Sequence, residues 1–134
     1  MVNRVECKTC KKSCKFYCCN CIESVVEAPL LNLPVKVTVI SHPKEKVSKS
    51  SILPAKIVAP TTVEILSTTE VPKFTESQDE IVLLFPGDDA RQMTELTLPE
   101  LQKIKRVVLI DSTWSQTRHY MKDPNIQNLK MVKI

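Results

Sequence analysis

Asp111, Ser112, Thr113 and Trp114 stand together directly after the apolar run Val107-Val108-Leu109-Ile110. A carboxylate accepts or steers a proton, hydroxyls donate and accept hydrogen bonds, and an indole either stacks on a flat ring or fills a core. The apolar run reads as a short strand buried on both faces, the kind found in parallel sheets, and Ser115 to Met121 open a helix. Ligands of open α/β sheets bind outside the carboxyl ends of the strands, so polar groups at this point form a site candidate. The same residues suit an Asp or Ser N-cap on an ordinary helix, and spacing alone leaves both readings open.

A second chemistry is written near the start. All six cysteines lie between positions 7 and 21: Cys7, Cys10, Cys14, Cys18, Cys19 and Cys21. Cys7-x-x-Cys10 and Cys18-x-x-Cys21 form two knuckles, and two such turns complete a thiolate tetrahedron around zinc. Cys14 and Cys19 are left over, with a tetrad using Cys14 as the alternative and a metal-free thiol cluster as the plain one. Cys19 should point away from the metal if its neighbour Cys18 faces it. Four protein ligands close the site, so the metal would fold a stretch too short to have a core rather than catalyse. Phe16 and Tyr17 are expected to cover it. Arg4, Lys8, Lys11, Lys12 and Lys15 stand against Glu6 alone in this stretch, which makes it a basic knob suited to RNA phosphates. A second basic knot, Lys103-Ile104-Lys105-Arg106, reads as ordinary solubilising charge.

These residues need elements to position them. Val35 to Ile40 alternates and then closes apolar, a strand running into His42-Pro43-Lys44-Glu45. His42 thus also follows a strand end, where it could shuttle a proton or contact phosphate. Thr61 to Leu66 is a further strand. Glu80 to Phe85 is a buried strand ending at Pro86-Gly87, and the chain's single glycine there suggests positive φ and close backbone approach to a ligand. Glu23 to Leu33 reads as a linker, 46–51 as a loop or helix start, Ile52 to Val58 as a short helix before Pro60, and Ser67 to Asp79 as a polar connector. Thr97 to Leu101 is a capped short helix with Pro99 near its start. Leu129 to Ile134 is a last strand, at a sheet edge or in a truncated domain. Buried strands separated by connections favour an α/β fold with a parallel sheet.

The 134 residues suffice for one small domain with a core, and 43% are hydrophobic, which excludes general disorder. Nine prolines must do much of the turning. The net charge is +4. No signal peptide or membrane-length apolar run is present, which points to a soluble intracellular protein whose cysteines hold metal rather than disulfides. Glycine-rich dinucleotide and phosphate loops are missing, as is a nucleophile elbow.

The two cysteine knuckles with Phe16-Tyr17, His42-Pro43-x-Glu45, Leu84-Phe85-Pro86-Gly87 and Asp111-Ser112-Thr113-Trp114-x-Gln116, in this order, resemble the DTW-domain family, in particular its tRNA-uridine aminocarboxypropyltransferase 1 branch. The resemblance implies a parallel-sheet, SPOUT-like domain with a knotted cofactor site, incomplete here, behind an N-terminal four-cysteine zinc element. It places the zinc element at 1–26 and the first part of the DTW domain at 27–134. The reaction it implies moves the 3-amino-3-carboxypropyl group of S-adenosylmethionine to N3 of a D-loop uridine in tRNA, in the nucleus, with the cytoplasm as alternative. Asp111 would take or steer the N3 proton, with Thr113 beside it. Phe85, Pro86, Gly87 and Ser112 would hold the cofactor. Trp114 would stack on the RNA base or pack beneath the loop, His42 and Glu45 would lie near the acceptor side, and Lys11 and Lys12 would meet the RNA. Structural zinc would sit on Cys7, Cys10, Cys18 and Cys21. Family domains extend further than this chain, so the expectation is a marginally stable or aggregation-prone piece. The competing class is a non-catalytic, zinc-dependent RNA-binding fragment.

Overall fold

The structure is a computed structural model and describes residues 3–45 and 52–134. The loop or helix start read over 46–51 falls outside the described residues. The chain opens with two small antiparallel ribbons. β1 (Val5–Glu6) pairs with β2 (Ser13–Cys14), and β3 (Tyr17–Cys18) pairs with β4 (Glu23–Ser24). The start of the expected linker is therefore a paired strand, because Glu23 and Ser24 close the second cysteine knuckle.

The rest is built on a sheet of β5 (Lys36–Ser41), β6 (Val63–Ser67), β7 (Ile81–Leu84), β8 (Arg91–Gln92), β9 (Arg106–Asp111) and β10 (Lys130–Lys133). Their order is β6-β5-β9-β7-β10-β8, and every pairing is parallel. β5 and β9 are central and run in register from Lys36↔Arg106 to Ser41↔Asp111. β10 is not an edge strand, as the sequence left open. It lies between β7 and β8, and its Val132 is buried, so the two-residue β8 forms the edge instead.

Among the described residues four short α-helices accompany the strands, α1 (Leu53–Val58), α2 (Leu98–Lys103), α3 (Trp114–Met121) and α4 (Pro124–Gln127), with a single 3-10 turn at Met93–Glu95. Pro54 sits in the first turn of α1 and Pro99 in that of α2, where a missing N–H costs nothing. Thr97 and Glu100 close a capping box on α2. The main core joins Ile40, Ile81, Leu83 and Val108 of the sheet to Tyr120 of α3 and Ile126 of α4. Side chains alternate across a strand, so Ile40, Val108 and Leu83 mark the face covered by α3 and α4, whereas Ser41, Asp111 and Leu84 belong to the other. The polar connector is more than a connector. Its Val71 is buried in the core and Phe74 packs against it.

Arg106 opens β9 beneath Phe74, with its guanidinium 5.6 Å from the ring centre. It bonds Glu76 at 2.7 Å and Thr38 at 2.5 Å, and lies 3.6 Å from Glu64. Lys105 pairs with Glu80. Two of the three basic residues of the second knot are thus neutralised by carboxylates of this chain.

Candidate functional site

All six strands are parallel, so their carboxyl ends share one edge. There the chain leaves β5 toward β6 on one side and leaves β9 toward β10 on the other. Neighbouring strands whose connections depart in opposite directions open a crevice, and this is where α/β sheets bind ligands. Asp111 ends β9 and His42 follows β5, with the His42 N–H donating to the Asp111 carbonyl at 3.2 Å. The segment after β7, the strand on the far side of β9, is Phe85-Pro86-Gly87. Three stretches separated by up to 70 residues in sequence are therefore brought to one edge by β5, β9 and β7.

The turn after β9 is set by its own side chains. Thr113 is the N-cap of α3: its hydroxyl accepts the Gln116 N–H, and the Gln116 side chain returns to the Thr113 N–H at 2.9 Å. The cap is neither Asp111 nor Ser112, because β9 continues through Asp111 and the helix begins only at Trp114. Ser112 Oγ lies 2.7 Å from Thr117 Oγ1, tying the turn to the helix. Trp114 is 75% exposed, so the core alternative for it is overturned: at the first helical position its ring leaves the sheet. Asp111 and Ser112 are half-buried, and Thr113 is exposed.

The turn after β5 is equally determined. Pro43 presets φ for the second position of a β-turn, closed by the Glu45 N–H on the His42 carbonyl at 2.8 Å. Within it the Lys44 N–H donates to His42 Nδ1 at 3.1 Å. The His42 ring meets Tyr120 edge to face, with centroids 6.2 Å apart. Tyr120, which sequence reading passed over, is fully buried and donates its hydroxyl to the Thr68 carbonyl at 2.5 Å. Burial raises its phenol pKa. The sequence signal for it was weak but present: position 120 falls on the face of α3 that also carries the buried Thr117.

Gly87 departs from its expected backbone conformation. It does not take positive φ. A Cβ there would come within 3.2 Å of Met131 Sδ, so its small size lets the loop lie close to β10. Phe85 is half-buried against the main core, and Pro86 is exposed.

Far along the sequence from this edge, the sulfurs of Cys7, Cys10, Cys18 and Cys21 lie within 4.8 Å of one another, with Cys10 and Cys18 3.5 Å apart. Zinc–sulfur bonds of about 2.3 Å place tetrahedral sulfurs about 3.8 Å apart, so the four thiols fit one metal ion. The knuckles repeat each other. Backbone N–H groups of Cys10 and Thr9 lower the Cys7 pKa, and those of Cys21 and Asn20 lower that of Cys18. Each knuckle is followed by a residue with positive φ, Lys11 at 67° and Ile22 at 55°. Hydrogen bonding to Cys10 pushes the Cys21 thiol up to about 12, while burial is the main cause raising Cys14. Cys14 is buried beside the tetrad without belonging to it, and Cys19 stands outside it. Phe16 and Tyr17 do not cover the thiols. Phe16 is 52% exposed, and Val25 packs there instead, its N–H bonded to the Phe16 carbonyl, which turns that residue outward. Arg4, Lys8, Lys11, Lys12 and Lys15 are all exposed, and among the described residues only Lys11 of these forms an ion pair, 3.9 Å from Glu6.

No helix among the described residues is long and apolar enough to cross a membrane. A parallel-sheet α/β protein with polar residues gathered at its switch point and an N-terminal cluster of four thiols that could hold a metal ion is the class these features define. Within that class the chain belongs to the DTW domain family, which matches residues 4–134. The chain is similar to proteins named tRNA-uridine aminocarboxypropyltransferase 1. It is 29% identical to that of Xenopus tropicalis, covering 98% of this chain and 59% of the relative. The Mus musculus and Homo sapiens proteins are 28% identical, with 98% of this chain and 58% of each relative covered. The chain thus spans under two thirds of the length of these relatives. No solved structure matches it.

Proposed function

We propose that this chain is part of a tRNA-modifying transferase that moves the 3-amino-3-carboxypropyl group of S-adenosylmethionine to N3 of a D-loop uridine. The observation carrying this reading is the convergence of the His42 turn, the Phe85–Gly87 segment and the Asp111–Trp114 turn on one edge, at the switch between β5 and β9. The relatives' name supplies the reaction class. S-adenosylmethionine would supply an activated carbon beside its sulfonium. The chain's residues would do the rest. Asp111 accepts or steers the weakly acidic N3 proton of uracil. Thr113 holds the turn that carries Asp111, and Ser112 stands on the opposite side of it. Phe85 and Pro86 offer apolar contact to the donor, with Gly87 fixing their loop against Met131. The exposed Trp114 stacks on a splayed-out base, as recognition of loop nucleotides requires. Glu45 lies on the acceptor side.

The four-thiol set suits zinc, a borderline-soft ion at home in closed tetrahedral thiolate sites. In this proposal zinc organises 1–26 as a basic knob whose Lys11 and Lys12 meet tRNA phosphates, and 27–134 supplies a SPOUT-like catalytic part. A nuclear location, with the cytoplasm as alternative, follows from the same reading.

Mass spectrometry of nucleosides from tRNA incubated with the protein and S-adenosylmethionine tests it. The expected result is a uridine gaining the aminocarboxypropyl mass, lost in Asp111→Asn. Transfer unchanged by that substitution rejects the assignment of Asp111. The exposed lysines around the thiols favour a second reading, a zinc-dependent RNA-binding fragment without chemistry. On that reading Cys7→Ser abolishes tRNA binding and S-adenosylmethionine gives no calorimetric signal. Binding that survives chelation of the metal overturns it.

A further inference from the structure

His42 is held more firmly than a residue after a strand needs to be. Its carbonyl and its Nδ1 both close the turn that Pro43 begins, and its backbone N–H is fixed to Asp111. The ring then meets Tyr120 in a T-shaped contact, and Tyr120 is itself anchored through its hydroxyl to the segment after β6. A neutral imidazole carries one ring proton. Nδ1 accepts the Lys44 N–H, so the proton must sit on Nε2. Among the described residues Nε2 has no hydrogen-bond partner, and the ring is only half-buried. A histidine needed only to build the turn would not need that nitrogen, because an asparagine oxygen accepts the same N–H two residues on.

We propose that His42 is a preorganised hydrogen-bond donor that presents Nε2–H to an acceptor oxygen of the bound ligand, and that Tyr120 is the positioning residue that orients it. This deepens the reading of the edge as the substrate site and rests on it. A uracil carbonyl and a phosphate oxygen are the two sources of such an acceptor. In the first case the bond strengthens as N3 loses its proton, because the charge spreads onto the carbonyls, and donors placed in advance act most strongly there.

The test separates the tautomer from the reaction. In the intact chain labelled with 15N-histidine, the long-range nitrogen–proton spectrum at a pH where the ring is neutral should show His42 as the Nε2–H form. His119→Gln assigns the signals, since the chain has two histidines. An Nδ1–H form or an even mixture overturns the proposal. Tyr120→Phe keeps the ring edge and should preserve the tautomer. Tyr120→Leu should mix the two forms, and an unaltered spectrum there removes Tyr120 from the proposal. Adding uridine, then inorganic phosphate, should move the Nε2 resonance with one of them: uridine identifies a carbonyl, phosphate an anion, and no movement with either rejects a ligand role. In the transfer assay His42→Gln, which retains a donor near Nε2, should stay within about tenfold of the parent, while His42→Asn, which retains only the turn, should lose about a hundredfold. The opposite ranking reduces His42 to a turn former. If the parent chain transfers nothing, the proposed reaction fails while the spectra still decide the fate of His42.

Discussion

Trp114 shows how far residue type alone carries. A single tryptophan is most often core, and only its place at the first turn of α3 leaves it 75% exposed. Its removal should therefore leave stability within about 0.5 kcal/mol while weakening single-stranded RNA binding by about 1–3 kcal/mol. Parallel thermal melts and fluorescence titrations of Trp114→Ala check this, and a large loss of stability with unchanged RNA affinity would return the ring to a structural role. The grouping of the four thiols was legible, because Cys-x-x-Cys spacing dictates which thiols share a side. The left-handed residues after each knuckle were not, since neither Lys11 nor Ile22 advertises that conformation as glycine does. Ile22 is β-branched, so positive φ there is strained by roughly 1–2 kcal/mol. Ile22→Gly should relieve part of it and tighten metal binding, seen as a higher chelator concentration needed to strip the ion. Weaker binding in the variant would mean that the Ile22 side chain, 41% exposed, contributes packing that outweighs the strain.

The elements were easier to anticipate than the contacts among them. β7 and β9 announced themselves as apolar runs because parallel strands are covered on both faces, and β5 as an alternation that closes apolar. The connector from 67 to 79 gave no such signal. Its contribution is two isolated apolar residues, Val71 and Phe74, and a carboxylate, Glu76, whose partner lies thirty residues away. The cap of α3 lies one residue beyond Ser112 and two beyond Asp111, the caps the sequence offered, for a related reason: Asp, Ser and Thr in succession are all good caps, and only the length of β9 selects Thr113. That selection has a measurable consequence. Thr113→Ala should cost about 1 kcal/mol of stability, whereas Thr113→Ser should cost a few tenths, and the transfer reaction should fall with the first variant because the turn bearing Asp111 loosens. Chemical denaturation of the three proteins checks the ranking, and equal stability of all three would show that the Gln116 return bond suffices.

At the scale of the whole molecule, the thiol cluster and the sheet keep separate cores, and different acid-sensitive groups hold each together. Lys105 bonds Glu80 and holds its carboxyl down at about 2. Burial is the largest single influence on Glu76 and opposes its ionisation, yet the bond and charge of Arg106, a backbone N–H and the charge of Lys36 together outweigh it and leave that pKa lowered too. A carboxylate with a depressed folded pKa contributes stability that is complete above its ordinary value and fades as pH falls through the folded value. Stability of the sheet should accordingly decline from about pH 4.5 downward toward pH 2, and Glu80→Gln should flatten that decline. At the proposed zinc site, thiolate ligation would end at milder acidity, because protons compete with the metal for sulfur. Two stages follow. On lowering pH, or on adding a chelator at neutral pH, amides of Val5 to Val25 should lose hydrogen-exchange protection first while β5, β9 and β7 keep theirs. Arg106→Met tests the second stage by itself. It strands Glu76, whose Oε2 already lacks a partner among the described residues, beside an apolar surface, and should cost about 3 kcal/mol. The double substitution with Glu76→Leu should recover most of the loss, because it removes the uncompensated charge along with its partner. If the single variant is as stable as the parent, the network around Arg106 is solvated surface charge and the sheet's acid sensitivity must come from Glu80 alone.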